Sequence, residues 1–151
     1  MPHKDAIDEF IGNTIVHLNN GQGLVFATLD KAFNKVVGAA RFMAATSAHK
    51  RVEIGFTFIG QSYPRIKINT EAKLLMLTHA VETLGLDRVQ FLTDYLNQAS
   101  RIAVLRIGVT LAGILKSHMQ MADGRIRDSV ILSITSAEWV GVKKILIDKL
   151  K

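Results

Sequence analysis

Arg65-Ile-Lys-Ile-Asn-Thr-Glu-Ala-Lys73 follows an apolar stretch, Arg51 to Ile59, and opens a helical pattern that runs to Gly85. This junction decides the fold. The first turn of a helix leaves backbone N–H groups without partners, and the aligned peptide dipoles place about half a positive charge at that end. A strand that feeds such a turn makes an anion site, and a phosphate is its natural guest.

The stretch before the junction, Arg51 to Ile59, alternates with the period of two that a sheet demands: Val52, Ile54, Phe56 and Phe58 point one way, Arg51, Glu53, Gly55 and Thr57 the other. From Asn69 the period changes, with Leu74, Leu77, Val81 and Leu84 at helical spacing and Gly85 where a left-handed C-terminal residue is wanted. Val89 to Thr93 reads as a buried strand, and Asn97 to Ile107 as a second helix capped by Asn97 and stopped by Gly108. Val109 to Met121 and Ile126 to Thr135 flank Ala122-Asp-Gly-Arg125, whose Asp-Gly pair signals a hairpin. Thr135 and Glu138 have capping-box spacing ahead of Trp139, Val142, Ile145 and Leu146, so an amphipathic helix ends the chain. Upstream, residues 6–18 read as a short helix and 19–23 as a loop. Leu24 to Leu29 and Val36 to Ala45 read as strands joined through Asp30 to Lys35. The pattern predicts a mixed α/β sheet, mostly antiparallel.

The 151 residues, 48% of them apolar, are one domain's worth, so a single domain over 1–151 is expected. The absence of cysteine excludes disulfides, thiolate metal sites and a cysteinyl thioester. The formal charge of +6 favours an anionic ligand, but its Lys and Arg residues are scattered and only 7% of the chain is aromatic, which argues against a nucleic-acid partner. The charged N-terminus does not read as a signal peptide and no stretch reads as a membrane span, so a cytoplasmic protein with no membrane partner is expected. His17, His49, His79 and His118 are dispersed with no metal-ligand spacing, and no serine sits in a nucleophile elbow. The stripe Leu74 to Leu77 reads as core, and Met119 and Met121 as packing a strand face.

Four blocks in order resemble the GNAT acetyltransferase superfamily, and within it the RimJ/RimL-like branch: Val52-Glu-Ile-Gly-Phe-Thr-Phe58, Arg65 to Lys73, Thr93-Asp-Tyr-Leu-Asn-Gln-Ala-Ser-Arg101, and His118-Met-Gln-Met-Ala-Asp-Gly-Arg-Ile-Arg-Asp-Ser-Val130. The resemblance runs from about Gly23 to Leu150. It implies a mostly antiparallel central sheet with helices on both faces, in which two neighbouring strands, here Arg51 to Ile59 and Val89 to Thr93, splay apart around the pantetheine arm of acetyl-CoA. The pyrophosphate would lie on the loop before the first long helix. That loop here lacks the family's glycines, which let backbone approach phosphate closely. The family's usual first strand and helix are also missing from the pattern, which leaves a sheet edge exposed.

The implied activity is transfer of an acetyl group from acetyl-CoA to a primary amine, either a protein N-terminus or a small amine, with no metal. The implied cofactor contacts are Phe58 and Ile59 on the strand, Arg65, Ile66, Lys67, Ile68, Asn69 and Thr70 at the phosphates, and Asn97 on the pantetheine arm. Glu53 is the candidate general base, set against a surface carboxylate paired with Arg51 or a cross-strand lysine. Ser100, in the family's Asn-x-x-Ser block, is the candidate acid or hydrogen-bond donor at the sulfur, with Tyr95 behind it. Two other readings stay open: a CoA-binding module without turnover, and a structural module that forms a homodimer through the exposed sheet edge.

Overall fold

The computed structural model describes residues 23–151, together with 12, 15, 16 and 20. The helix expected over 6–18 and the loop after it lie largely outside the described residues. Element order is β1 (Gly23–Asp30), β2 (Lys35–Thr46), β3 (Arg51–Ile59), α1 (Arg65–Thr78), β4 (Arg88–Asp94), α2 (Gln98–Leu105), β5 (Thr110–Gln120), β6 (Ile126–Thr135) and α3 (Trp139–Asp148). The six strands form one sheet in the order β1-β2-β3-β4-β6-β5. Every neighbouring pair is antiparallel except β3 and β4, which α1 connects as a crossover.

The pairing register sets which side chains share a face. Phe42 lies opposite Ile54, Val52 opposite Val89, Val89 opposite Ile134 and Phe91 opposite Leu132. All of these are buried, and they meet Met76, Leu77 and Ala80 from α1 and its extension, Ile107 beyond α2, and Trp139, Val142 and Leu146 from α3. The other face carries Glu53, Gln90 and Ser133 in one row, Leu92 and Ile131 in the next, and Asp94 and Ser129 in a third. The two faces therefore differ in kind: one is the core, the other sets polar rows on either side of an aliphatic one.

Helix ends follow local chemistry. α1 continues into a π-helical stretch, His79–Thr83, before Gly85 turns the chain at φ +61°. That stretch is held by α3, because Trp139 Nε1 and Lys143 Nζ both donate to Glu82 Oε1, at 2.6 and 2.7 Å. At the start of α3, Glu138 Oε2 accepts from the Thr135 N–H and hydroxyl, each at 2.8 Å, which satisfies the capping-box spacing. The hairpin turn between β5 and β6 closes through Gly124 at φ +82°. Two details differ from the sequence pattern. Leu84 is exposed rather than core, because the π-helical stretch shifts the helical phase, and Leu75, ahead of that stretch, points away from the side that Met76 and Leu77 bury. Met119 is also exposed, since β5 is an edge strand with little against it.

Candidate functional site

β3 and β4 pair over only three residues: Arg51 with Arg88, Val52 with Val89 and Glu53 with Gln90. Both strands continue beyond that point, β3 to Ile59 against β2 and β4 to Asp94 against β6. A gap therefore opens between 54–59 and 91–94, with Glu53 and Gln90 at its closed end. β3 also carries a bulge here, since its register with β2 shifts between Ala39/Arg41 while Phe56 adopts φ +47°. A phenylalanine in the left-handed region costs of order 1 kcal/mol, and such strain gathers where a backbone group must be aimed. The expected alternation thus fails at Phe56, which turns out to solvent, while Thr57, also exposed, offers its hydroxyl to Lys73 on α1. Gly38 makes the close approach of β2 possible, because a Cβ there would stand 2.2 Å from the Phe58 carbonyl oxygen.

Glu53 is not the surface carboxylate of the alternative reading. It is buried, 7% exposed, and its Oε2 accepts from Gln90 Nε2 at 3.3 Å, with neither Arg51 nor a lysine as partner. Burial raises its pKa above the usual carboxylate value, against the opposing pull of the Gln90 hydrogen bond and the charges of Arg127 and His118. Those last two come from β6 and β5, more than sixty residues away in sequence. His118 Nδ1 lies 3.0 Å from Ser129 Oγ, and the buried Nε of Arg127 has no hydrogen-bond partner. Nothing local signals this meeting across strands: His118 reads as one of several dispersed histidines, and Arg127 carries no motif of its own.

The anion cradle is also reshaped. Helix α1 starts at Arg65, four residues before the expected Asn69, so 65–70 is not a loop but the first turn and a half of the helix. Pro64 at the cap offers no side-chain bond, and Ile68 N already donates to the Pro64 carbonyl at 3.2 Å. The unpaired donors are therefore the backbone N–H groups of Arg65, Ile66 and Lys67, those of Asn69 and Thr70 being spent inside the helix. The Thr70 hydroxyl is committed as well: it donates to the Ile66 carbonyl at 2.7 Å and accepts from Arg106 Nη2 at 3.0 Å. Arg106 follows α2, so this bond fixes the start of α1 against the end of α2. Asn69 keeps a buried Oδ1 without a partner. Lys67 is exposed, and no acidic residue lies in the first turn to compete with an anion.

Asn97 caps α2 as expected, its Oδ1 accepting from Ser100 N at 3.0 Å. The preceding loop is held by Asp94, which accepts from Leu96 N and pairs with Arg125. Ser100 occupies the first turn of α2, and Tyr95 lies between the cations of Arg101 and Lys116, at 4.9 and 5.5 Å from its ring centre. Asn97→Ala is expected to cost about 1 kcal/mol and to lower the melting temperature by roughly 2–4 °C, with Asn97→Asp neutral, as thermal unfolding of the three proteins would show.

A separate cavity of about 700 Å³ lies between the β1–β2 hairpin and α1, lined by Phe26, Phe42, Leu75 and Met76 among others. It touches the first turn of α1 at Pro64, Lys67 and Ile68 but includes neither Glu53 nor any residue of the β3–β4 gap. Its walls are mainly apolar.

Residues 2–110 match the family model described as an acetyltransferase (GNAT) domain. The chain is 27% identical over 100 residues to YoaA, an uncharacterized N-acetyltransferase of Bacillus subtilis (strain 168), a match covering 66% of this chain and 55% of that protein. Among solved structures it resembles a GCN5-related N-acetyltransferase from Brucella melitensis, with 32% identity and a TM-score of 0.81, over 86% of this chain and 58% of that one. A likeness of fold alone links it to Mycobacterium smegmatis RimJ in complex with CoA-disulfide, at 22% identity and a TM-score of 0.77, over 96% and 68% of the two chains. The chain thus spans just over half the length of the curated relative and of the Brucella protein. With the family model covering most of its residues, and with the splayed strands and helix junction that the four sequence blocks imply, the chain belongs to the GNAT acetyltransferase family.

Proposed function

We propose that this protein transfers an acetyl group from acetyl-CoA to a primary amine, by direct attack of the amine while both substrates are bound. The observation that carries this reading is the gap between β3 and β4, closed at one end by a buried carboxylate whose burial holds it toward its neutral form. A base in that condition has its pKa moved toward working pH, which is what proton abstraction from an ammonium or amine needs.

The residues fit the nucleotide. The free N–H groups of Arg65, Ile66 and Lys67 and the α1 dipole would hold the pyrophosphate, with the Lys67 side chain adding charge. The partnerless Oδ1 of Asn69 is an acceptor awaiting a donor. Phe58 and Ile59 line the β3 side of the gap, and the Asn97 amide would face the pantetheine arm while its Oδ1 stays in the cap. Glu53 takes the proton from the attacking amine. Ser100 donates a hydrogen bond toward the sulfur. The amine enters from the polar face that carries Glu53, Gln90, Asp94 and Ser129. Either a protein N-terminus or a small amine satisfies this chemistry.

Calorimetric titration with acetyl-CoA, with desulfo-CoA as the control for phosphate and pantetheine contacts, tests the reading. One-site saturable binding followed by acetylation of a peptide N-terminus or a polyamine is expected. No heat at millimolar ligand would overturn it. Lys67→Glu places a negative charge at the pyrophosphate and is expected to weaken both ligands about tenfold, leaving kcat at saturation nearly unchanged.

A further inference from the structure

Lys73 is the buried titratable group that the acetyl-transfer scheme leaves without a task. It lies on α1, 3% exposed, and reaches the underside of the β3–β4 gap. Its Nζ donates to Thr57 Oγ1, on β3 just past the bulge, and stands 5.9 Å from the ring centre of Phe91, on β4 just past the last paired residue. The amine therefore spans both walls where the strands have separated. An ammonium has three donors, and Thr57 uses one. Among the described residues no carboxylate pairs with Lys73, and neither Thr57 nor Phe91 titrates near neutral pH. Arg106, a cation that bonds α1, is held earlier on the helix at Thr70 and Ile66.

Glu53 and Lys73 face the same gap from opposite sides of the sheet. Glu53 belongs to the polar face and Lys73 to the helix face, so a thioester held in the gap would lie between a carboxylate and an amine. The two are complementary in chemistry. Burial raises the carboxylate's pKa and lowers the amine's to about 7, so the two shifts run toward each other.

We propose that Lys73 is the general acid of the reaction, delivering its proton from the helix face to the sulfur of CoA as the thiolate leaves. The inference rests on the acetyl-transfer reading of the gap. The N–C bond forms and the C–S bond breaks, the electron pair of that bond goes to sulfur, and sulfur takes one proton from the Lys73 ammonium. Glu53 removes the proton that the amine nitrogen must lose, and both residues return to their starting states by exchange with water. Ser100 cannot replace Lys73 in this step, because an alcohol is far less acidic than a thiol; it can solvate the sulfur but does not protonate it. An ammonium near pKa 7 can.

Two readouts test the assignment. The first does not need turnover: the ultraviolet titration of the thiol of CoA bound to the protein, compared with free CoA. The permanent charge of Lys73→Arg beside the sulfur is expected to make the bound thiol ionise about one pH unit lower than in Lys73→Met and in the wild type, where Lys73, its pKa lowered to about 7, has already given up its proton when the thiol titrates. The second is kinetic: Lys73→Met should lower kcat roughly a hundredfold with KM for acetyl-CoA little changed, and abolish the alkaline fall of kcat. Lys73→Arg should be nearly as slow, because arginine keeps the charge but does not release a proton. A bound thiol in Lys73→Arg that titrates no lower than in the wild type would overturn the proposal, even where the methionine variant folds poorly. So would a folded Lys73→Met with wild-type kcat, or acetylation of Lys73 itself on incubation with acetyl-CoA. Failure of the wild type to bind either CoA or desulfo-CoA would instead sink the acetyl-transfer reading, and the assignment with it.

Discussion

Glu53→Gln is expected to lower kcat/KM for acetyl transfer by roughly 10²–10³-fold, while the calorimetric affinity for acetyl-CoA stays within about twofold. Glutamine keeps the shape and can still bond Gln90, but it cannot accept a proton. The pH profile separates this from a packing effect. Burial raises the Glu53 pKa, so the acidic limb of the wild-type rate should lie above the range of an ordinary glutamate, and it should vanish in the variant. Arg127→Met removes one of the two charges that pull the pKa down, so the limb should move to higher pH with the maximum rate nearly kept. Stability should change in the opposite sense to activity. In the window between the unfolded and the raised folded pKa, the native state binds more protons than the unfolded one, so stability falls as pH rises through it. At pH 7 an ionised Glu53 is therefore a net cost, and Glu53→Gln should raise the melting temperature. An unchanged rate, or a flat acidic limb in the wild type, would remove Glu53 from the mechanism.

Much of the fold was legible because its signals are local. The alternation around Val52 and Ile54, the Asp123-Gly124 turn and the Thr135–Glu138 spacing each involve residues a few positions apart, and each sits where the pattern puts it. Asn97 could be read as a cap for the same reason. What failed did so at places where the chain departs from an ideal period. The bulge at Phe56 reverses the pattern of β3, and nothing in the residue type announces it, since a glycine would be the usual signal and phenylalanine stands there instead. The start of α1 at Arg65 was hidden by Ile66 and Ile68, whose alternation with Lys67 looks like the tail of a strand.

The candidate site divides along the same line. Glu53 stands out in the sequence as a candidate because a lone carboxylate in an apolar strand is unusual. Its surroundings could not, since Gln90, His118 and Arg127 reach it only through the order β3-β4-β6-β5. Lys73 was invisible as chemistry: a lysine in a helix is usually solvated, and only the separation of β3 from β4 turns this one inward. The cradle lost Ile68, Asn69 and Thr70 as backbone donors once the helix boundary moved, a loss that boundary uncertainty of a few residues makes natural.

Leu77→Ala should give the largest loss of stability in the chain, about 3–4 kcal/mol. Leu77 has no exposed surface and lies in the cluster where α1 meets the sheet and α3. Removing its branched end leaves a cavity that close-packed neighbours on three elements fill only in part. Against a typical total of about 5–15 kcal/mol, that loss should lower the melting temperature of a domain this size by roughly 10 °C. The effect should also reach the site, because Leu77 lies one turn beyond Lys73 on the same side of α1, and what shields one shields the other. The sign can be followed by pH. Lys73 has its pKa lowered to about 7 by burial, so between there and the unfolded value near 10.5 the unfolded state binds more protons and stability climbs with pH. A cavity beside it that admits water should move its pKa back toward the ordinary value and shorten that climb. Denaturant unfolding of the wild type and Leu77→Ala from pH 6 to pH 10 would measure both effects. An equal slope in the two proteins would show that the burial of Lys73 comes from Thr57 and Phe91 at the gap, and not from the core beneath it.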